Sequence, residues 1–366
     1  MNFQLSIPVS IELCSKKDKN SWNDFVLKNK NSNLYHFFEW KQIIEKTYGH
    51  KTYYLKAVDN SGKIRGILPL AYLKSLIFGK KLISLPYFDI GGVLADNIET
   101  EKKLLEFSIE LFKKLKADSL EIREKKESVY LKEAIFNKDE FEKKEYFIKN
   151  TSSDKARMVL NLPQKATYLF NSYKSKFKND IKKPFRENLK FKIGGKELLD
   201  DFYSIFSVNM RDLGSPVHSK SLFENILDLF NEKARIGIVY QEKKALACIF
   251  TIGHKKTLSN PWASSLKEYR YLNTNIFQYW KMLEYACLNG YEYFDFGRSA
   301  PLDNTFKFKK KWGAKPEKLF WYNFSMENSS LESEKSKFGG MVKYWQKIPV
   351  SVTQIAGPQI RKNIGL

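Results

Sequence analysis

One order of elements is written twice along this chain, and that repetition restricts the fold more than composition does. In the first half a helical stretch, Ser21–Gly49, leads into two strand-like runs, Lys51–Val58 and Lys63–Leu73, joined by the turn Asp59-Asn60-Ser61-Gly62. A short extended piece, Leu82–Leu85, precedes an amphipathic helix over Glu99–Lys116, whose Leu104, Leu105, Ile109, Phe112 and Leu115 recur at helical spacing. The strand Ser119–Ile122 closes this unit. The second half repeats the order. Helices are expected over Glu197–Met210 and Ser221–Asn231, then strands over Ala234–Tyr240 and Ala245–Gly253 around the polar turn Gln241–Lys244. A further strand begins near Thr257. The helix Thr274–Leu288 ends at Gly290, and the strand Tyr291–Phe296 follows. This order predicts an α/β fold with mixed sheets, built as two similar lobes with a ligand cleft between or beside them. The lobes are expected at residues 1–160 and 161–326, the second with a basic helical lead-in at 165–192. Residues 327–366 are read as a linker and C-terminal tail.

Composition narrows the setting. Hydrophobic residues make up 43% and aromatics 15% of 366 residues, enough for two packed cores. No segment approaches the roughly 18 uncharged apolar residues of a membrane span. The start, MNFQLSIPVSIELCSKK, lacks a basic lead and is interrupted by Gln4, Pro8 and Glu12, so it does not read as a signal peptide. Cys14, Cys248 and Cys287 have no metal-ligand spacing and suit a reducing cytoplasm. The formal net charge of +22 favours polyanionic partners such as tRNA, nucleotide-linked sugars or acidic lipid headgroups. Only 9 of the 63 basic residues are Arg, however, so a lysine-rich composition explains the excess equally well.

The lead-in sets Lys174, Lys176, Lys178, Lys182, Lys183 and Arg186 among Tyr173, Phe177 and Phe185. It reads as a helix along phosphates or as a solvated face with its aromatics buried. Glu327–Gly340 is polar and Ser-rich, as in a flexible linker. The tail, 341–366, mixes Tyr344, Trp345, Ile348, Val350, Val352 and Ile355 with cations, and either packs on the body or contacts a membrane surface. Pro349, Gly357 and Pro358 argue against one long helix there.

Several chemistries are unsupported. The phosphate-loop, dinucleotide-binding and G-x-S-x-G patterns are absent. His36, His50, His218 and His254 are not spaced as metal ligands, so no metal is expected. Four clusters remain. Asp295, Gly297, Arg298 and Ser299 stand at a strand end, where α/β sheets present ligand groups, and Arg298 can clamp a phosphate or carboxylate. Just after them, Phe308, Lys309, Trp312 and Gly313 set cations beside aromatic rings. Arg211 and Asp212 close a helix before Gly214 and Pro216, either binding a substrate anion or orienting the turn. Tyr87 and Asp89 lie in Pro86-Tyr-Phe-Asp-Ile-Gly-Gly92, a structural turn or a site where Asp89 accepts a proton. Trp262 stands in Asn260-Pro-Trp-Ala-Ser-Ser265, near Arg270, at another strand end.

At these clusters the chain resembles a known family. The strings RDLGSPVHS, PWASSLKEYR, YFDFGRSAP and FKFKKKWGAKPE, with FEWKQIIEKTYGH near the start and YWQKIPVSVTQIAGPQIRK near the end, resemble FemAB-related proteins associated with exosortase-linked exopolysaccharide systems. The resemblance implies two tandem GNAT-like lobes and N-acyl or aminoacyl transfer to an amine of a peptidoglycan or exopolysaccharide precursor. It implies a cytoplasmic enzyme, at or near the inner face of the membrane. The donor would be aminoacyl-tRNA or acyl-CoA, with no tightly bound cofactor; the acceptor would be lipid-linked or nucleotide-linked. In the family a Phe-Lys pair before an aromatic-Gly meets the tRNA acceptor end and aids transfer; here those positions are Phe308 and Lys309, followed by Trp312 and Gly313. Lys309 would then stabilise the charge of the tetrahedral intermediate, with Asp295 or Asp89 assisting proton removal. Phe308, Arg298, Ser299, Arg211, Asp212, Tyr87, Trp262, Arg270 and Trp312 would contact substrates. Ile44 stands where the family carries a second, precursor-binding lysine. The acetyl-CoA loop of single-lobe GNAT enzymes, Q/R-x-x-G-x-G/A, has no counterpart. An acyl-CoA-dependent acetyltransferase acting on an amino sugar is the alternative reading, and a non-enzymatic glycan-binding or scaffold protein is the third.

Overall fold

The computed structural model describes residues 8–136, 147–325 and 342–365. The predicted linker Glu327–Gly340 and the first seven residues of the N-terminal run lie outside the described residues. The chain divides into two compact units: Met1–Asp154 with Lys318–Glu334 and Asn363–Leu366, and Lys155–Glu317 with Lys335–Lys362. Late segments therefore return to the first unit, which a reading in consecutive blocks does not anticipate.

Unit 1 begins with β1 (Val9–Leu13), α1 (Lys19–Lys28) and α2 (Glu39–Tyr48). It continues through β2 (Lys51–Thr52), β3 (Leu55–Asp59), β4 (Ile64–Leu68), β5 (Ala71–Ser75), β6 (Gly79–Ile83) and β7 (Leu94–Ala95) to α3 (Ile98–Lys114), β8 (Ser119–Glu124) and α4 (Val129–Phe136). The helical stretch expected over Ser21–Gly49 is thus two helices. Between them, Asn29 accepts from the Asn31 amide and Asn33 from the Tyr35 amide. Such local side-chain bonds compete with helix continuation. The strand expected over Lys63–Leu73 divides at Pro69, which cannot donate to a ladder; β4 and β5 enter different sheets, β1-β3-β4-β7 and one containing β8-β6-β5-β2.

In that second sheet β6 and β8 run parallel, from Lys81↔Ser119 to Ile83↔Glu121, and α3 makes the crossover. Asn97 caps α3 by accepting from the Thr100 amide. Glu99 and Glu101 occupy its first turn and Lys113 and Lys114 its last, the charge order its dipole favours. Leu104, Leu105 and Phe112 on its buried face join Leu82, Leu120, Ile122, Tyr322 and Phe324 in one core.

Past Ile83 the loop 84–93 folds back over the end of β8. Ser84 receives the Arg123 amide on its hydroxyl at 2.8 Å, and the Gly91 amide donates to the Arg123 carbonyl at 3.1 Å. The buried Arg123 guanidinium donates to the carbonyls of Phe88 and Gly365. Glu124 is half-buried overall, but its carboxyl lies under the loop, accepting from the Val93 amide at 2.6 Å and leaving no room for a Cβ at Gly92. Burial pushes its pKa up to about 8, although the Val93 amide opposes the shift. Because the folded-state value exceeds the unfolded one, this carboxyl costs nothing below about pH 4.5 and destabilises the fold progressively up to about pH 8. Glu124→Gln, which keeps an acceptor for Val93, is expected to stabilise the protein by about 2–4 kcal/mol at pH 8 and by under about 1 kcal/mol at pH 5. Paired melting curves at the two pH values check this; equal gains at both would refute it.

Unit 2 takes up the chain within β9 (Phe147–Asn161). The predicted lead-in follows as α5 (Ala166–Ser172) and α6 (Ser175–Arg186). Its Tyr173, Phe177 and Ile181 are buried with Trp312 in the unit 2 core, while most of its lysines are exposed. That is the solvated-face form of the two readings, except that Phe185, expected to be buried with the other aromatics, is exposed. Next come β10 (Lys190–Gly194), α7 (Leu199–Asp212), α8 (Lys220–Phe230), β11 (Ala234–Gln241), β12 (Lys244–His254), β13 (Thr257–Ser265), α9 (Thr274–Leu288), β14 (Tyr293–Ser299) and α10 (Asn304–Lys311). The sheet order is β10-β11-β12-β13-β14-β9, with β13 and β14 parallel across α9. This repeats the β6–α3–β8 arrangement of unit 1, so the duplication read from the sequence is present in the fold. β15 (Lys315–Ser325) carries the chain back to unit 1 and pairs with β8.

The tail forms α11 (Val342–Trp345) and α12 (Val350–Arg361) on unit 2. Pro349 separates them, but α12 runs through Gly357-Pro358, contrary to expectation. Gly357 removes the Cβ that would clash with the following proline ring, and a Cβ there would lie 3.0 Å from the Val217 amide nitrogen. Of the two readings of the tail, Trp345 follows the one in which it packs on the body, being buried, while Tyr344 and Ile355 are exposed. Among the described residues no helix is long and apolar enough to cross a membrane.

Candidate active site

The parallel pair in unit 2 is short. Thr257↔Tyr293, Leu258↔Phe294 and Ser259↔Asp295 are in register, and beyond them β13 and β14 are no longer paired. Both strands carry irregularities at this point. β12 and β13 shift register between Phe250 and Ile252, and β14 and β9 shift between Asp295 and Arg298. Bulges bend strands and end pairing, often beside active sites. Gly297 makes the bend in β14 with φ of 72°, in the left-handed region.

Buried polar groups fix the two edges. On β13, Asn260 donates to the carbonyls of Phe250 and Trp262 at 2.9 and 2.8 Å, and its own oxygen accepts from Tyr279 at 3.1 Å. On β14, Asp295 accepts from the Gly297 amide at 2.9 Å and from Arg157 Nε at 2.8 Å; Arg157 also bridges to Glu317 at 3.0 Å. Asp295 and Arg157 are both buried. Lys309, on α10 and also buried, donates from Nζ to the carbonyls of Gly297 and Arg298 at 3.2 and 2.9 Å. One linked path therefore runs Arg157, Asp295, the Gly297 bend, Lys309. It holds an ammonium group against the end of β14, where it can stabilise negative charge.

The structure brings Lys309, Asp295, Arg298, Ser299 and Phe308 together at this strand end. Ser299 is buried, and its hydroxyl finds no hydrogen-bond partner among the described residues. Phe308 is half-buried, its ring 5.4 Å from Tyr279. Asp295, expected to take a proton, is instead held in the ion pair with Arg157 and shapes the Gly297 bend. Trp312, expected to touch substrate, is fully buried, 4.7 Å from Phe177 and 5.8 Å from Tyr173. Its place is in the core that seats α10. Trp262 packs edge-on against Phe223 and Phe250. Arg270 is exposed on the turn Lys267–Leu272 between β13 and α9. Arg211 pairs with its neighbour Asp212 at 2.7 Å, and the Asp212 carbonyl accepts from Gln346, as suits residues that orient a turn.

Tyr87 and Asp89 belong to unit 1. Tyr87 is buried in the left-handed region with φ of 75°, its amide donating to the Gly365 carbonyl at 2.6 Å. The Asp89 carbonyl accepts from the Trp321 indole at 2.9 Å. Both hold the loop over β8.

Sequence reasoning missed Arg157, Asn260, Tyr279 and Glu317. Only Asn260 stood inside a singled-out string, and none lies in a recognisable spacing with Lys309. The usable signal was an isolated Arg in a strand of otherwise apolar character, Ala156–Leu160, since a buried cation needs a buried anion.

A sheet with one parallel pair, a crossover helix between its strands and a strand-end opening is the frame of an N-acetyltransferase-type fold. Residues 172–310 match the family described as the acetyltransferase (GNAT) domain. That segment, which contains β13, α9, β14 and most of α10, is thus similar to a GNAT domain in both sequence and strand order. The chain as a whole has the tandem GNAT-like fold of FemX: the two are 16% identical over 85% of this chain and 96% of FemX, with a TM-score of 0.63. The C-terminal domain of a putative lysylphosphatidylglycerol synthetase from Agrobacterium fabrum is similar at 10% identity, over 89% of this chain and 96% of that one, with a TM-score of 0.55. A tandem GNAT protein from the clavulanic acid biosynthesis pathway is similar at 9%, over 88% and 100%, with a TM-score of 0.54. No curated protein matches the sequence.

Proposed function

We propose that this chain transfers an aminoacyl group from aminoacyl-tRNA to an amine of a cell-envelope precursor, at the β13–β14 opening of unit 2. The observation that carries the reading is Lys309: a buried ammonium, anchored by two carbonyls to a bent strand end, on the helix that also bears Phe308. The amine nitrogen forms the new bond to the donor's carbonyl carbon. The bond from that carbon to the tRNA hydroxyl breaks, and the amine's proton leaves with the hydroxyl. Lys309 stabilises the oxygen charge between these events, and holding both substrates at one strand end supplies much of the remaining rate. The resemblance of the sequence strings to FemAB-related proteins, and the fold's likeness to a domain of a putative lysylphosphatidylglycerol synthetase, support an envelope acceptor.

The match to an acetyltransferase family favours a second reading, acyl-CoA as donor and an amino sugar as acceptor. Against it stands the β13–α9 connection. Glycine-rich turns let phosphates approach helix amides, whereas this connection is a short 3-10 helix of bulky residues, Lys267–Leu272, with no glycine. Donor titration separates the two. Saturable binding of charged tRNA, with label passing from it to a peptidoglycan precursor, is the expected result. Saturable acyl-CoA binding without any tRNA binding overturns it in favour of the second reading.

A further inference from the structure

The hairpin of β5 and β6 in unit 1 has no part in the site above. The strands pair from Ala71↔Ile83 to Ser75↔Gly79, and the turn between them is Ser75-Leu76-Ile77-Phe78-Gly79. Exposed turns favour Gly, Asn, Asp and Ser. This one instead presents two aliphatic side chains: Leu76 is fully exposed and Ile77 is 72% exposed. The turn is built to hold them out. Ser75 Oγ accepts from the amides of both Ile77 and Phe78 at 3.2 Å, and the Phe78 ring turns inward and is buried. Gly79 takes φ of 76° against Asp118, where a Cβ would lie 2.4 Å from the carboxylate.

Directly behind the tip, Lys74 and Lys80 are partners across the two strands. Like charges in that position weaken a hairpin. Lys81 follows. The end of α3 lies alongside: the Asp118 amide donates to the Lys80 carbonyl at 2.7 Å, and the Tyr72 hydroxyl donates to the Leu115 carbonyl at 3.4 Å. This brings Lys113, Lys114 and Lys116 to the same end of the unit. The nearby Asp118 carboxylate is directed to the Lys80 amide at 2.8 Å.

We infer that the Ser75–Gly79 turn is a membrane-docking point. Leu76 and Ile77 enter the acyl boundary of an anionic bilayer, while Lys74, Lys80 and the lysines at the end of α3 meet lipid phosphates. An aliphatic tip ringed by lysines matches the layering of such a surface, hydrocarbon beneath negative headgroups. A protein partner would more commonly be met by a broad apolar patch than by a two-residue protrusion.

The test is co-sedimentation of the full chain with vesicles of phosphatidylcholine alone or mixed with phosphatidylglycerol. Binding to the mixed vesicles, weakening with salt and low on phosphatidylcholine alone, is the expected result. Leu76→Ser/Ile77→Ser should lower the partition coefficient about tenfold or more, and Lys74→Glu/Lys80→Glu comparably, with both variants melting as the native chain does. The inference is overturned if no vesicle binds, if both vesicle types bind equally, or if Leu76→Ser/Ile77→Ser changes nothing. It is also overturned if binding is lost only with Tyr344→Ser/Ile355→Ser, or if the Leu76 and Ile77 substitutions alter the oligomeric state without lipid, which would make the tip a protein contact.

Discussion

Lys309→Met is expected to lower turnover by about 10²–10³-fold, the loss typical of removing one preorganised donor from a developing oxyanion. Folding should suffer far less. Methionine fills nearly the same volume, so the loss is that of two hydrogen bonds, to the carbonyls of Gly297 and Arg298. That amounts to about 1–3 kcal/mol and a fall in melting temperature of several degrees. Single-turnover rates beside melting curves separate the two effects. Turnover within about twofold of the native chain would leave Lys309 as a brace for the end of β14 and nothing more.

Arg157→Met should have the largest effect on stability. Arg157 and Asp295 form a buried ion pair at 2.8 Å, and removing one member leaves an uncompensated charge, at a cost of about 3–5 kcal/mol. Replacing both behaves differently. In Arg157→Met/Asp295→Asn the side-chain oxygen at 295 can still accept the Gly297 amide, the bond that sets the strand bend. The double variant should recover most of the lost stability by denaturant titration and keep turnover within about tenfold. A double variant that is stable yet inactive would restore Asp295 to the role of proton acceptor, and a single variant as stable as the native chain would show the pair to be dispensable.

The duplication, the β3–β4 and β11–β12 hairpins and the two crossover helices were legible in the sequence, because periodicity and turn residues act over a few positions. The β5–β6 hairpin was not, its apolar Leu76-Ile77-Phe78 tip lacking the usual turn residues. Gly290 past α9, and the Asp59–Gly62 turn, are local facts wherever the chain goes. The strand Lys63–Leu73 misled only where Pro69 divides it between two sheets. Lys309, Phe308, Arg298 and Ser299 could be singled out as candidates because they stand in two short strings next to a strand end.

What each of those side chains touches depended on pairings between distant segments. Asp295 reads as a base in isolation and becomes half of an ion pair only because β9, more than a hundred residues earlier, is laid beside β14. Trp312 reads as a ligand-facing aromatic until α6 packs Phe177 against it. The sequence alone determined the repeated order of helices, hairpin, crossover helix and strand and the strings that carry the chemistry, but not the strands β1, β9, β10 and β15. The tertiary structure alone decided which charges are paired, which aromatics are buried and where two parallel strands part. Burial and ion pairing are properties of contacts between elements, and no local pattern encodes them.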